Sequence, residues 1–333
     1  MEYELDNIIK NLDNYSSNLN GLDKNTDYLT LEKVYQMSKP MLLTIGNKYS
    51  LSHFSLPDVM GANSLVIFAD ILIDDKLHEV AIKIYVQPKC IKESIEHLQD
   101  LVSLHDISPK LYYKSSIEFG SIDNIITIVM NSKIIQFTLF NWTSPIQMKR
   151  AVVTLLEKTM KLHRLGFVHN DIKYENFGMD KHGTVFLYDF DNFDKVRNNS
   201  CSILLSSIVC HPPHQLRSDY INYGLGNRLV DLFSIISIIL GDIFGIINWQ
   251  FSREQFPKKN QAISTFNCRK IIYWIQYNLS KKFCGYVKNK SPFWYALTNF
   301  INLILLKSKI TRHRTFFSRA QKLISRMKEN IDT

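Results

Sequence analysis

The spacing of apolar residues changes character about two fifths of the way along this chain. From residue 41 to residue 131 apolar and polar positions alternate in strand-like fashion, interrupted by one helical pattern. His78 to Tyr85 places Val80, Ile82 and Ile84 on one side and Lys83 on the other. Ile107 to Tyr112 and Asn124 to Met130 read as the entries to two further strands. The helical stretch, Lys89 to Leu104, sets Ile91, Ile95, Leu98 and Val102 on one face. After residue 131 the pattern is mainly helical. Met148, Val152, Leu155, Leu156 and Leu162 recur at three- and four-residue spacing between Pro145 and Leu165, with Ser144 as N-cap and Gly166 as stop. Phe177 to Met179 and Thr184 to Tyr188 then flank Asp180-Lys181-His182-Gly183, the pattern of a hairpin. Residues 1 to 40 are polar and Asn/Asp/Leu-rich and read as short helices outside the main unit.

Chemistry concentrates around the hairpin. His169-Asn170-Asp171-Ile172-Lys173-Tyr174-Glu175-Asn176 precedes it and Asp189-Phe190-Asp191 follows it. Asp171 can accept a hydroxyl proton and orient the oxygen for in-line attack, and Lys173 can neutralise charge on a transferring phosphoryl group. Asn176 and Asp189, at the two ends of the hairpin, offer the hard oxygen ligands that Mg2+ prefers. Upstream, Lys83 in Val80-Ala81-Ile82-Lys83 is flanked by apolar strand residues and needs an anion if it is buried.

These motifs, in this order, resemble the eukaryotic-type protein kinase superfamily over roughly residues 60 to 315. Its catalytic loop reads H-x-D-x-K-x-x-N, its metal loop D-F-G and its lysine strand V-A-I-K. The resemblance implies an α+β, bilobal protein-kinase-like fold, with a small β-rich N-lobe (41–131), a larger helical C-lobe (132–333) and an N-terminal extension (1–40). It implies ATP and Mg2+ as cofactors, Asp171 and Lys173 as catalytic residues, and Asn176 and Asp189 as metal ligands. Lys83 would clamp the α/β-phosphates, paired with Glu96 in preference to Glu93. Gly61 and Ser64 would lie in the phosphate-covering loop, and the hinge after Met130, through Asn131 to Lys133, would meet adenine. Asp231 would hold the catalytic-loop backbone from the first turn of the apolar helix that includes Ile235 to Ile247. Lysine at position 173 goes, in the family, with transfer to Ser/Thr hydroxyls of a protein substrate. The loop wording and the Ile/Asn/Lys-rich composition are similar to kinases of large insect DNA viruses such as baculoviruses.

Several positions depart from the family pattern. Gly61-Ala62-Asn63-Ser64-Leu65-Val66 keeps one glycine of G-x-G-x-x-G, so less backbone can close on phosphate. Asn170 replaces an arginine that reads a phosphorylated activation segment, which implies activity independent of phosphate on Ser200, Ser202, Ser206 or Ser207. Asp191 replaces glycine, and His211-Pro212-Pro213-His214 stands in place of A-P-E, without the glutamate that an arginine such as Arg314 would lock. Two other classes stay open. A small-molecule kinase of the choline or aminoglycoside type shares H-x-D-x(4)-N and a D-F-D ending, against which Lys173 and Glu175 count. A pseudokinase scaffold would explain the eroded loop, but Lys83, Asp171, Asn176 and Asp189 are all retained.

Composition narrows the setting. The 333 residues are 45% hydrophobic, enough for two lobes of one catalytic unit. The formal charge of +9 is scattered rather than blocked, apart from Arg312-His313-Arg314, and reads as a solvated face suited to acidic protein partners, not as a nucleic-acid site. Asp231, Gly241 and Asp242 interrupt the longest apolar run, so no membrane span is expected. Five cysteines without C-x-x-C spacing (Cys90, Cys201, Cys210, Cys268, Cys284) read as reduced thiols of an intracellular protein, in cytoplasm or nucleus. No signal, transit or lipidation pattern is present at the polar N-terminus.

Overall fold

The computed structural model describes residues 31–56, 64–88, 92–118, 124–136, 144–180, 182–198, 226–244, 292–305 and 313–332. Gly61, all five cysteines, the serines at 200 to 207 and His211 to His214 lie outside them. The chain is of mixed α and β type, with an antiparallel sheet and several helices. It divides into two compact units, Met1–Ile134 and Ile135–Thr333.

The first unit is built on a five-stranded antiparallel sheet. Its strands are β1 (Ser52–Ser55), β2 (Ser64–Ile73), β3 (Lys76–Pro88), β4 (Leu111–Glu118) and β5 (Asn124–Ser132), in the order β1-β2-β3-β5-β4. Side chains alternate between faces, so the ladder decides which residues look the same way. Leu65, Ile67, Ala69, Ile71, Val80, Ile82, Ile84, Ile126, Ile128 and Met130 form one fully apolar face. Helix α1 (Leu31–Tyr49) covers that face with Val34, Tyr35, Leu42 and Ile45. The other face carries Val66, Lys83, Tyr85, Thr127 and Val129, and helix α2 (Lys92–Leu104) packs beside β4 at its edge.

The expected division at residue 40 is therefore corrected. Pro40 lies inside α1, and residues on both sides of it belong to the core of the sheet. The helix earns its place by the apolar residues it buries; fully burying one such side chain stabilises by about 1.5–3 kcal/mol.

In the second unit, helix α3 (Pro145–Arg164) buries Val152, Leu155, Leu156, Met160 and Leu162. Pro145 occupies its first turn, but Ser144 makes no side-chain capping bond. Gly166 ends the helix with φ +91°, a left-handed angle that suits glycine. Two short ladders follow: β7 (Phe167–Val168) with β10 (Asp194–Lys195), and β6 (Ile135–Gln136) with the hairpin β8 (Phe177–Met179) and β9 (Val185–Leu187). Helix α4 (Arg228–Phe244) is buried at every residue from 229 to 239. Helices α5 (Pro292–Leu305) and α6 (His313–Glu329) complete the unit, α6 burying Phe316, Ala320, Ile324 and Met327 along one stripe. No helix among the described residues is long and apolar enough to cross a membrane.

Candidate active site

One buried carboxylate holds the backbone of the loop after β7. Asp231, in the first turn of α4, accepts from His169 N (2.9 Å, Oδ2) and Asn170 N (2.8 Å, Oδ1), and its Oδ2 lies 2.9 Å from His163 Nε2. Asp231 is wholly buried, so these donors supply the hydrogen bonds that water would otherwise give it. The expected anchor is thus present, and the chain adds His163, a polar residue on the buried side of α3. That position was visible in the helical spacing but not singled out from it. Asn170 takes φ +63°, a conformation that Asn tolerates better than most residues.

This pinning delivers Asp171, 2% exposed, to the centre of a donor cluster. Its Oδ2 accepts from Lys173 Nζ at 2.9 Å, Asn176 Nδ2 at 3.1 Å and Asn192 Nδ2 at 3.3 Å. Asn176 Nδ2 also donates to Asp171 O at 2.8 Å. Both bonds use the nitrogen of Asn176, which leaves Oδ1, the atom able to ligate a cation, turned away from Asp171.

The hairpin brings Asn176 and Asp189 to one place. A 3-10 turn, Tyr174–Asn176, feeds β8, whose Phe177 is paired with Leu187 of β9. Asp180 Oδ1 accepts from His182 N and Thr184 N, both at 2.9 Å, and Gly183 takes φ +81°, which closes the turn. At the open end Tyr188 N donates to Asn176 O at 3.0 Å, so Asp189 follows directly on the hydrogen-bonded neighbour of Asn176. Asp189 itself adopts φ 62° and ψ 60°, a left-handed conformation costing about 1–2 kcal/mol for an L-residue. His169 Nε2 donates to Tyr188 O at 2.9 Å, and its ring packs 4.8 Å from that of Phe190. Asp191 sits inside the 3-10 turn Phe190–Asn192 and needs no positive φ.

The Asp189 carboxylate and the Asn176 carboxamide oxygen are both hard oxygen donors of the type that Mg2+ takes. Among the described residues no group of three His, Cys, Asp or Glu side chains could hold a metal alone.

The segment that continues from Asp189 is tied back at several points. Val196 N donates to Gly166 O at 2.7 Å, and the fully buried Asn227 accepts from Arg197 N and donates to Lys195 O, both at 2.9 Å. Gly226, at φ +57°, leaves no room for a side chain: a Cβ there would lie 1.7 Å from Arg197 O. Asn192 and Asn227 escaped sequence reasoning because their partners lie 21 to 32 residues away.

The sequence-derived residues of the first unit need correction. Lys83, partly buried, stands opposite Val66 and Val129, its Nζ 4.9 Å from the Tyr85 ring. Glu96 does not pair with it: Glu96 Oε1 accepts from Ser116 Oγ at 2.9 Å, and Lys114 Nζ donates to Glu96 O at 2.7 Å. The Glu96 carboxylate is taken instead by Ser116, a residue of β4. Replacing Glu96 by Ala should cost about 0.5–1.5 kcal/mol in urea unfolding through the lost Ser116 bond, and change any phosphoryl transfer that the chain performs by less than about threefold. A large loss of transfer with the stability unchanged would restore Glu96 to the site.

Met130 is fully buried on the α1 side of the sheet, the face opposite Lys83, so its side chain is core and not a nucleotide contact. Ser132 N donates to Lys110 O and Lys133 N to Glu79 O, both at 2.9 Å, so these two donors are used within the protein. Lys133 Nζ pairs with Glu79 at 3.0 Å above the Phe68 ring. Ser64 opens β2 opposite Tyr85 and is buried.

No protein-family model matches the chain, and no curated protein matches it closely enough to stand as a relative.

Proposed function

We propose that this chain is an ATP- and Mg2+-dependent serine/threonine protein kinase of divergent type, with a two-lobed kinase-like fold. The observation that carries the reading is the meeting of Lys173, Asn176 and Asn192 on the Asp171 carboxylate, beside a hairpin that sets Asn176 next to Asp189. Asp171 is held where it can accept the proton of an incoming hydroxyl and orient that oxygen. Lys173, 2.9 Å away and partly exposed, can turn its charge to the phosphoryl group in flight. Asn176 Oδ1 and Asp189 would hold the metal, which when bound neutralises phosphate charge. Lys83 presents a cation on the polar-bearing face of its sheet, suited to a nucleotide phosphate. Positioning and electrostatics are the main terms that phosphoryl transfer asks of a protein.

The test is incubation with γ-labelled ATP, Mg2+ and casein or histone as acidic and basic acceptors, followed by phosphoamino-acid analysis. Label on Ser or Thr that disappears with EDTA is expected. Absence of transfer despite an ATP-dependent thermal shift would replace the enzyme by a scaffold. Transfer to choline or an aminoglycoside, and not to protein, would move the chain to the small-molecule kinases.

A further inference from the structure

The two asparagines around Asp171 hold each other's segments. Asn170 Nδ2 donates to Asn192 O at 3.3 Å, and Asn192 Nδ2 donates to Asp171 Oδ2 at 3.3 Å. One bond ties the loop to the turn after Asp189; the other returns from that turn to the carboxylate next to Asn170. A carboxylate only accepts, so Asn192 must present its nitrogen there, and an isosteric Asp could not. Asn170 is 4% exposed and left-handed, so its backbone and side chain are both committed to this arrangement.

We infer that Asn170 and Asn192 form a reciprocal amide clasp, with Asn192 a positioning residue for Asp171. The clasp couples the loop at 169–176 to the turn at 190–192 through two carboxamide donors, with no phosphate required. It rests on the reading of Asp171 as the reacting carboxylate.

Four variants test it in the full chain, with Mg2+-ATP and casein or histone as acceptors. Asn192→Ala removes the returning bond. Asn170→Gly removes the outgoing bond while keeping a residue at ease with φ +63°. Each should lower kcat by about three- to tenfold and leave KM for ATP within about twofold, since the groups assigned to nucleotide binding are untouched. The double variant should be no worse than the poorer single one, because either change opens the same clasp. Asn192→Asp, the same shape with a carboxylate facing a carboxylate, should fall below Asn192→Ala. Wild-type kcat in Asn192→Ala, or multiplying losses in the double variant, would overturn the clasp alone. An inactive wild-type chain would overturn the functional reading on which it rests.

Discussion

Changing Asp171 to Asn should lower protein phosphorylation by at least ~10²-fold while leaving the fold in place. The carboxamide has the shape of the carboxylate, and its oxygen can still accept from Lys173, Asn176 and Asn192, the three donors gathered on Oδ2. What disappears is the negative charge and the capacity to take a proton from the incoming hydroxyl. Lys173, whose side chain is 28% exposed, can turn its ammonium group to water once the carboxylate charge is gone. A thermal midpoint within a few degrees of wild type is therefore expected beside the collapse in kcat. Steady-state kinetics with casein or histone, read against the melting curve, checks both halves. Transfer at near wild-type rate would remove Asp171 from the chemistry.

Asp231 to Ala should be the most damaging change to stability. Three buried donors would lose their acceptor together: His169 N, Asn170 N and His163 Nε2. Each stranded donor costs about 1–3 kcal/mol, so a loss of roughly 3–9 kcal/mol is expected in urea unfolding, a large part of a typical domain's stability. Asn170 would also lose the restraint that keeps it left-handed. Asp231→Asn should be milder, since the carboxamide oxygen can still serve one or two of the donors. A loss below about 1 kcal/mol for the Ala variant would show that the loop is held by other contacts.

The elements around the chemistry were legible because their signals are local. The hairpin announces itself through Asp180 and Gly183 between two short apolar runs, and α3 through Pro145, its apolar stripe and Gly166. Asp231 could be read because one acid at the head of an apolar helix must find donors. The misreadings share a different cause. α1 looked like an appended segment because Pro40 and many polar residues dilute its stripe, and only the sheet shows that Val34, Tyr35, Leu42 and Ile45 are needed. Glu96 was chosen from helix geometry, but its partner is Ser116, twenty residues further along the chain, which helix periodicity does not show. Met130 and the donors of Ser132 and Lys133 depend on where the β5 ladder stops, and that is set by hydrogen bonds to Lys110 and Glu79 far away in the chain. Asn192 carries no local mark at all.

The apolar row under α1 also acts as a ruler. β2 and β3 are matched over ten consecutive positions, from Ser64–Tyr85 to Ile73–Lys76. A slip of β3 by a single residue would turn Lys83 into the core and push Val80, Ile82 and Ile84 out to the opposite side. Exposing those three side chains would cost about 1.5–3 kcal/mol each, before any charge is added for a lysine sealed among isoleucines. Misaligned sheets are thus rejected during folding by the apolar residues of the α1 face. The direction in which Lys83 points is guaranteed by its two neighbours, Ile82 and Ile84, and tolerance to mutation in this unit should be lowest on the apolar face under α1.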